Sequence, residues 1–384
     1  MRDEVSDQKA DQTSARTRVV VDLDAIVANW RQLADLAEGA TAAVVKANGY
    51  GCGATPVARA LAAAGCETFF VASLAEGEAL RADLPRPAIY VLDGYRSGQA
   101  SAFAEARLRP VISSPETLAA WFGESAAANA GYALHVDTGM SRLGAEPEQT
   151  EELRQLLHER PAPQLIMTHP ACADAPANPM TLSQSVQFDA ICDALGPSVA
   201  ATARSFANSA ALIADPHFHY DVARPGIALY GGRALEDRPN PMRQAVRLEA
   251  RVLQLRTVAA GTPVGYGSTF VTERVTRLAT LAVGYADGLP RALGNASDHG
   301  PALVKIADTP CPIVGRISMD LTTVDITALP EAAVAAGDWA TVIDSHLTID
   351  DIADRTGTIG YEILTRLSAR VPRVYVGQSR NGET

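Results

Sequence analysis

Between residues 42 and 232, short apolar runs alternate with segments of helical pattern. The runs, among them TFFVASL, PAIYVLD and QLIMTH, are apolar on both faces, and stretches such as PVARALAAAG separate them. Parallel strands that are covered by helices on both sides have this pattern. About eight such strands can be counted, which predicts an α/β fold with an N-terminal (β/α)8 TIM-type barrel that ends near Gly232. A doubly wound open sheet is the alternative, although no dinucleotide-type glycine fingerprint follows the first strand.

A β-rich region follows the barrel. Past Pro241, the runs RLEARVLQLRTV, TRLATLAVGY, PALVKIAD, CPIVGRISMDLTTVDIT and DWATVID are separated by glycine, proline and aspartate. They predict a C-terminal mainly β domain, and a chain of 384 residues also exceeds what one hydrophobic core usually supports. The expected organisation is a disordered tail at residues 1–17, the barrel domain at 18–240 and the β domain at 241–384.

The composition limits the classes of function. Acidic residues number 44 against 33 basic ones, for a formal net charge of -11, which argues against a nucleic-acid or anionic-membrane surface. No apolar run approaches the ~20 residues that span a bilayer, and the N-terminus lacks the apolar core of a signal peptide. A cytoplasmic protein that acts on a small molecule is predicted. Neither disulfides nor a metal site are expected from the spacing of the five cysteines, Cys52, Cys66, Cys172, Cys192 and Cys311.

One lysine stands out in the first barrel strand. The run AAVVKANGYG leads from a buried strand through Lys46 into a glycine-containing turn that includes Tyr50. Burying an ammonium without a partner is costly and lowers its pKa, which leaves a neutral amine able to act as a nucleophile or base. Such lysines commonly form Schiff bases. The alternative is that the strand ends at Ala47 and the lysine side chain reaches solvent.

Polar residues follow several later strands. In a barrel, the carboxyl ends of the strands meet at one mouth, where catalytic residues lie. Taken singly, these residues also fit ordinary roles as surface charges, a core imidazole or a helix cap. The candidates are Arg142, His169, Asn208, Ser209, Arg224, Gly226 and Ile227.

Taken together, the candidates predict a cofactor site. Ser209, at a helix start after the seventh strand, and the amides around Gly226, after the eighth, occupy the places where barrels bind a phosphate. A lysine, a phosphate cradle, a histidine able to stack on a ring and an arginine near a ring nitrogen suggest pyridoxal 5'-phosphate.

At these residues the sequence resembles the alanine racemases, a family of fold type III pyridoxal-phosphate enzymes. The resemblance implies an enzyme that interconverts L-alanine and D-alanine, either to supply peptidoglycan or for alanine catabolism. It extends from about residue 18 to the end of the chain, through the motifs AVVKANGYG, DTGMSRLG, MTHPACAD, SFANSAAL, ARPGIALYG, VGYGSTF, AVGYADG, GRISMD and GYEILTR, in the family's order and spacing.

The resemblance also implies the bases. Lys46 would be the Schiff-base lysine and one catalytic base, and Tyr266 the base on the opposite face. Two unlike bases on opposite faces can invert a Cα centre without turning the substrate over. In this family the tyrosine reaches the site from a second subunit, so a head-to-tail homodimer with shared active sites is implied. Arg224 would pair with the ring nitrogen, and because a guanidinium does not usefully release a proton, prompt reprotonation would be favoured over transamination.

The resemblance assigns the remaining positions to cofactor and substrate. His169 would pack against the pyridine ring, and Arg142 would contact the cofactor phenolate and the substrate carboxylate. Tyr285 and Met319 would line the substrate pocket. The phosphate would be held, with Asn208 close by, by Tyr50, Ser209, Gly226, Ile227 and Tyr361.

Two positions depart from the commonest family pattern. His135 stands where many members have a carbamylated lysine that braces the arginine corresponding to Arg142, so how Arg142 is held is open. Ser318 stands where many members have cysteine.

Two other functions are compatible with the same scaffold. One is a racemase of broader or different amino-acid specificity. The other is a non-catalytic pyridoxal-phosphate carrier, but carriers of this barrel type lack the second domain, so VGYGSTF and GRISMD argue against it. A decarboxylase of this fold type would place an acidic residue where Arg224 stands.

Overall fold

The computed structural model describes residues 15–126, 130–158, 160–294 and 300–377. Most of the predicted N-terminal tail, residues 1–14, lies outside these ranges. The chain divides into two compact units. The barrel unit contains the described residues of Ile26–Gly49 and Gly53–Arg243, and the sheet unit contains the described residues of Met1–Ala25, Tyr50–Cys52 and Gln244–Thr384.

Parallel strands form the core of the barrel unit. Among the described residues, seven of them pair side by side in chain order: β3 (Ala43–Val44), β4 (Thr68–Val71), β5 (Ala88–Val91), β6 (Arg109–Ile112), β7 (Ala133–His135), β8 (Leu165–Met167) and β9 (Ala203–Ser205). The residues of β4 and β5 are almost all buried, as expected for strands covered on both faces.

An eighth strand closes the ring. β10 (Val222–Ala223) pairs in parallel with β2 (Ala40–Thr41), which precedes β3. On the β2 side of β10, the Ala42 amide donates to Ala223 O at 2.9 Å. On the β9 side, the Arg224 amide, just after β10, donates to Ala207 O, just after β9, at 2.8 Å. These bonds confirm the predicted eight-stranded barrel.

Helices connect the strands. The first, α1 (Leu23–Leu36), begins where the Asp22 carboxylate accepts a hydrogen bond from the Ala25 amide at 2.9 Å, so Asp22 is its cap. The others are α2 (Ala54–Ala63), α3 (Leu74–Asp83), α4 (Ala100–Glu105), α5 (Pro115–Gly123), α6 (Thr150–Leu157), α7 (Met180–Leu195) and α8 (Ser209–Ala214).

The sheet unit is built around one long strand, β11 (Val246–Val258). Its first half pairs with β1 (Thr17–Asp22) and β18 (Trp339–Ile343), and its second half pairs with β14 (Thr276–Leu281). The other elements are β12 (Pro263–Val264), β13 (Phe270–Val271), β15 (Leu303–Ile306), β16 (Thr309–Pro312), β17 (Thr322–Asp325), α9 (Ile349–Thr356), α10 (Gly360–Thr365) and β19 (Arg373–Val376). The predicted mainly β character of this region is confirmed.

The position of β1 differs from the sequence-based expectation, which placed residues from 18 onward in the barrel domain. β1 lies in the sheet unit, between β11 and β19. Val19 is opposite Leu248 on one side and Arg373 on the other. The strand's partners are distant in the chain, and an apolar run of this length does not indicate which partner it has.

The buried side chain of Asn29 predicts a measurable effect on stability. It donates to Leu229 O at 3.1 Å and to Arg243 O at 2.9 Å, and accepts from the Arg243 amide at 2.8 Å. We expect Asn29→Ala to lower the free energy of unfolding by about 3 kcal/mol, because it leaves these buried backbone groups unpaired. Denaturant titration would measure the loss. Gln32→Ala, at an exposed position of the same helix, is the control, and an equal effect of both variants would contradict the prediction.

Candidate active site

Lys46 begins a turn of unusual backbone conformation at the end of the first barrel strand. Ala47, Asn48 and Gly49 have φ values of 53, 52 and 62°, and Tyr50 has a φ of 53°, so the chain makes a left-handed turn. Non-glycine residues avoid this region at a cost of roughly 1–2 kcal/mol each. The Asn48 side chain offsets part of that cost by accepting from the Ala54 amide at 3.0 Å. Strain of this kind is typical of functional sites and here fixes the direction of the chain at Lys46.

The surroundings of Lys46 favour a neutral amine. Burial lowers its pKa from the usual value, and the nearby positive charge of Arg142 lowers it further. Glu76 and Asp93 act in the opposite direction but do not reverse the shift. The neutral form is the one that can attack a carbonyl or accept a proton.

Arg224 is a buried cation with only neutral partners. Its guanidinium donates to Thr168 O at 2.6 Å, to Phe206 O at 3.4 Å and to the Ser205 hydroxyl, and it forms no ion pair within the described part of the chain. Burial lowers its pKa to about 9, so the group is still charged at neutral pH. A buried guanidinium that has no carboxylate partner fits a neutral hydrogen-bond acceptor such as a pyridine nitrogen.

Two histidines close to Arg224 are held neutral. Burial, followed by the charges of Arg224 and Arg142, lowers the pKa of His135 to about 4, and Asp137 opposes this only in part. The same causes place the pKa of His169 well below its usual value. His135 therefore offers Arg142 no negative charge. Arg142 itself is exposed, and its side chain forms no hydrogen bond or ion pair among the described residues.

Ser209 and Gly226 lie together, as the sequence predicted for an anion site. The Ser209 hydroxyl oxygen accepts from the Gly226 amide at 2.8 Å and from the Ala228 amide at 3.4 Å, which leaves its hydrogen to be donated elsewhere. Asn208 caps α8 by accepting from the Ala211 amide at 2.9 Å. Asn208, and not Ser209, is therefore the cap of this helix, so the helix-cap role considered for Ser209 does not apply. Ile227 starts the short 3-10 helix Ile227–Tyr230 that follows Gly226.

Sequence reasoning missed a polar network behind His169. Gln184 is fully buried on α7, where its amide nitrogen donates to Thr138 Oγ1 at 3.2 Å and to His169 O at 3.1 Å. Its oxygen accepts from the Ala171 amide at 2.9 Å, and the hydroxyls of Thr138 and Thr168 are 2.8 Å apart. The network holds the ends of β7 and β8 together. The only signal in the sequence is a polar residue one turn before Phe188 on the apolar face of a helix.

The other predicted residues lie in the sheet unit. The rings of Tyr50 and Tyr361 are 6.1 Å apart, and burial raises the pKa of Tyr50. Tyr266 is in the 3-10 turn Tyr266–Ser268, between the paired strands β12 and β13, and is 69% exposed. Tyr285 and Met319 lie on two further loops and are 38% and 54% exposed.

The described residues do not meet the requirements of a metal site, a membrane-spanning helix or a disulfide. The described ranges contain no group of three or more His, Cys, Asp or Glu side chains that could hold a metal ion. No helix in the described part is long and apolar enough to cross a membrane. The five cysteines are free thiols.

The lowered pKa of His135 predicts acid sensitivity. Its pKa is about 4 in the folded chain against an ordinary 6.5, so the unfolded chain binds more protons between these values. Protonation of His135 therefore makes no change to the free energy of unfolding above pH 6.5. As the pH falls towards 4, its protonation in the unfolded chain lowers that free energy by about 3 kcal/mol in total. We expect His135→Gln to lose less stability than the wild type between pH 7 and pH 4. Denaturant titrations at both pH values would measure this, and equal losses would contradict it.

Comparison with known proteins places both units in one family. The family sequence model for the alanine racemase N-terminal domain matches residues 21–234. The family sequence model for the alanine racemase C-terminal domain matches residues 245–375. An alanine racemase of Methylobacterium nodulans is 44% identical over 372 residues, which are 95% of this chain and 97% of that protein. One from Rhizobium meliloti is 43% identical over 378 residues, 95% of this chain and 98% of that protein.

Solved structures of alanine racemases are also similar to this chain. The alanine racemase of Bartonella henselae with covalently bound pyridoxal phosphate aligns with a TM-score of 0.85 at 36% identity, over 94% of this chain and 100% of that one. The biosynthetic alanine racemase of Pseudomonas aeruginosa aligns with a TM-score of 0.85 at 35% identity, with the same coverage. From its strand-end lysine to its second unit, this chain belongs to the alanine racemase family.

Proposed function

We propose that this chain interconverts L-alanine and D-alanine with pyridoxal phosphate, and that Lys46 is both the covalent attachment point and one of two bases. This assignment is supported by the lowered pKa of Lys46 and by its position just after a barrel strand. The sequence contains three lysines, Lys9, Lys46 and Lys305. Lys9 lies outside the described residues, and Lys305 pairs with Asp344 at 3.0 Å. Lys46 has a lowered pKa and begins the turn that follows the barrel strand β3.

The residues of the barrel mouth suit pyridoxal phosphate. Arg224 would donate to the ring nitrogen and His169 would pack against the ring. Arg142, which has no side-chain partner among the described residues, would bind the phenolate and the substrate carboxylate. When bound, the cofactor supplies the electron sink that makes the substrate Cα–H acidic. The phosphate would be held, near Asn208, by Ser209, Gly226, Ile227, Tyr50 and Tyr361. The Bartonella henselae relative, which has the cofactor covalently bound, supports this proposal.

The side chains divide the proton transfers between two faces. Lys46 Nζ, whose pKa is lowered by burial and by the charge of Arg142, would accept or return the Cα proton on one face, and Tyr266 Oη would do so on the other. Arg224 stays charged at neutral pH, and His135 and His169 stay neutral. None of these three groups is a ready proton donor to the ring nitrogen, so the reaction would favour return of a proton to Cα over transamination.

The exposure of Tyr266 supports a shared site. A tyrosine that is 69% exposed at the tip of a hairpin has most of its ring available to another surface. We therefore assign Tyr266 to the active site of a partner subunit in a head-to-tail homodimer, with Tyr285 and Met319 beside the substrate. Free thiols at all five cysteines are consistent with a reducing cytoplasm, where D-alanine would be made for peptidoglycan.

The role of Lys46 can be tested directly. We expect Lys46→Ala to lower racemisation by at least about 10³-fold in both directions, because it removes the base and the attachment point together. Mass spectrometry after borohydride reduction should show the cofactor mass on the wild type and on a Lys305→Ala control, but not on Lys46→Ala. A reduced adduct on Lys46→Ala would reject the assignment.

The shared site predicts complementation. Lys46→Ala and Tyr266→Phe chains should each be nearly inactive, whereas mixed dimers contain one mouth with both wild-type residues. If subunits exchange randomly, half of the dimers are mixed and activity should recover to roughly one quarter of wild type. Activity would be measured after co-refolding, with each variant refolded alone as the control. Proven mixed dimers without recovery would show that Tyr266 serves its own chain or is not a base.

A further inference from the structure

Two loops of the sheet unit are joined through their backbones. The Tyr285 amide donates to Ser318 O at 3.1 Å, and the Ala286 amide donates to Met319 O at 2.9 Å. The approach is close at Gly284, where an added Cβ would lie 2.3 Å from Met319 O and 2.4 Å from Ser318 O. A residue larger than glycine would therefore push the two loops apart.

A buried carboxylate and one arginine connect the same loops. Asp287, which is 2% exposed, accepts from the Gly284 amide at 2.9 Å and from Arg370 Nε at 2.8 Å. Arg370 Nη2 also donates to Asp320 Oδ1 at 2.6 Å. Asp287 ends the turn that contains Tyr285, and Asp320 follows Met319. Arg370 thus bonds both loops from a third segment, whose Ser368 amide donates to Asp287 O at 3.1 Å.

The chemistry of arginine suits this connection. A guanidinium is planar and presents several N–H donors in fixed directions, so it can hold two carboxylates at a set separation. A lysine ammonium is a single point charge and fixes the geometry less well. The carboxylate of Asp287 is desolvated, so its bond to Arg370 is less screened than an ion pair on the surface.

We propose that Arg370, acting through Asp287 and Asp320, is a positioning residue that fixes the separation of Tyr285 and Met319 and thereby limits the size of the amino-acid side chain admitted. This rests on the proposed function, in which Tyr285 and Met319 line the substrate pocket. A pocket of fixed shape discriminates against one extra methylene by about 10–200-fold. A pocket whose two walls move independently discriminates less.

The test uses the purified holoenzyme and two substrates that differ by one methylene, L-alanine and L-2-aminobutyrate. We expect Arg370→Gln to raise the ratio of kcat/KM for L-2-aminobutyrate over L-alanine by about tenfold, mainly through a higher KM for alanine. Arg370→Lys should give an intermediate ratio. The matched control is Arg366→Gln, which removes an arginine of similar side-chain exposure, 46% against 44%, from a 3.0 Å ion pair with Glu362.

A second measurement does not depend on activity. Hydrogen–deuterium exchange should be faster at the Tyr285 and Ala286 amides in Arg370→Gln than in Arg366→Gln, because these amides bridge the two loops. If Arg370→Gln does not fold, Arg370→Lys decides the question with the same two readouts. A substrate ratio and exchange rates equal to those of the control would overturn the inference. A wild type that does not racemise alanine would instead refute the proposed function, and the exchange data would still test the connection between the loops.

Discussion

The Arg224 guanidinium is charged at neutral pH and buried, with no carboxylate partner in the described residues. Taking such a charge out of water costs several kcal/mol unless other groups solvate it. Here the acceptors are Thr168 O, Phe206 O and the Ser205 hydroxyl, which belong to β9 or to the residues that follow β8 and β9. They converge on Arg224 only because β10 closes the ring beside β9. Barrel closure and the buried charge therefore depend on each other.

The same charge sets the protonation of its neighbours. It adds to burial in lowering the pKa of His135 and of His169, while Arg142 has this effect on both histidines and on Lys46. A mouth lined by cations and neutral bases suits a ligand that brings its own negative charge. The left-handed turn from Ala47 to Tyr50 is compatible with this, since strained backbone persists where function requires a fixed geometry.

Much of the architecture was predictable from local pattern. The barrel strands are apolar on both faces and are separated by helical segments, and their order in the sheet follows their order in the chain, so counting them gave the fold. β1 could not be placed in this way, because its partners β11 and β19 are distant in the sequence. The positive φ values of Ala47 and Asn48 were also unpredictable, because neither residue requires that conformation. Gln184 was missed because a single polar residue on a helix does not reveal whether its partners are water or buried backbone.

The place of β1 has a consequence for the order in which the chain folds. β1 is synthesised before the barrel, whereas its neighbours β11 (Val246–Val258) and β19 (Arg373–Val376) both follow the barrel in the chain. Until these neighbours are made, β1 has exposed backbone donors and acceptors and an apolar run, VVV, with no sheet to join. A fragment that stops after the barrel would keep this edge permanently open. The barrel half of the gene is therefore a poor unit for expression by itself, and a fragment that begins after β1 would be the better choice.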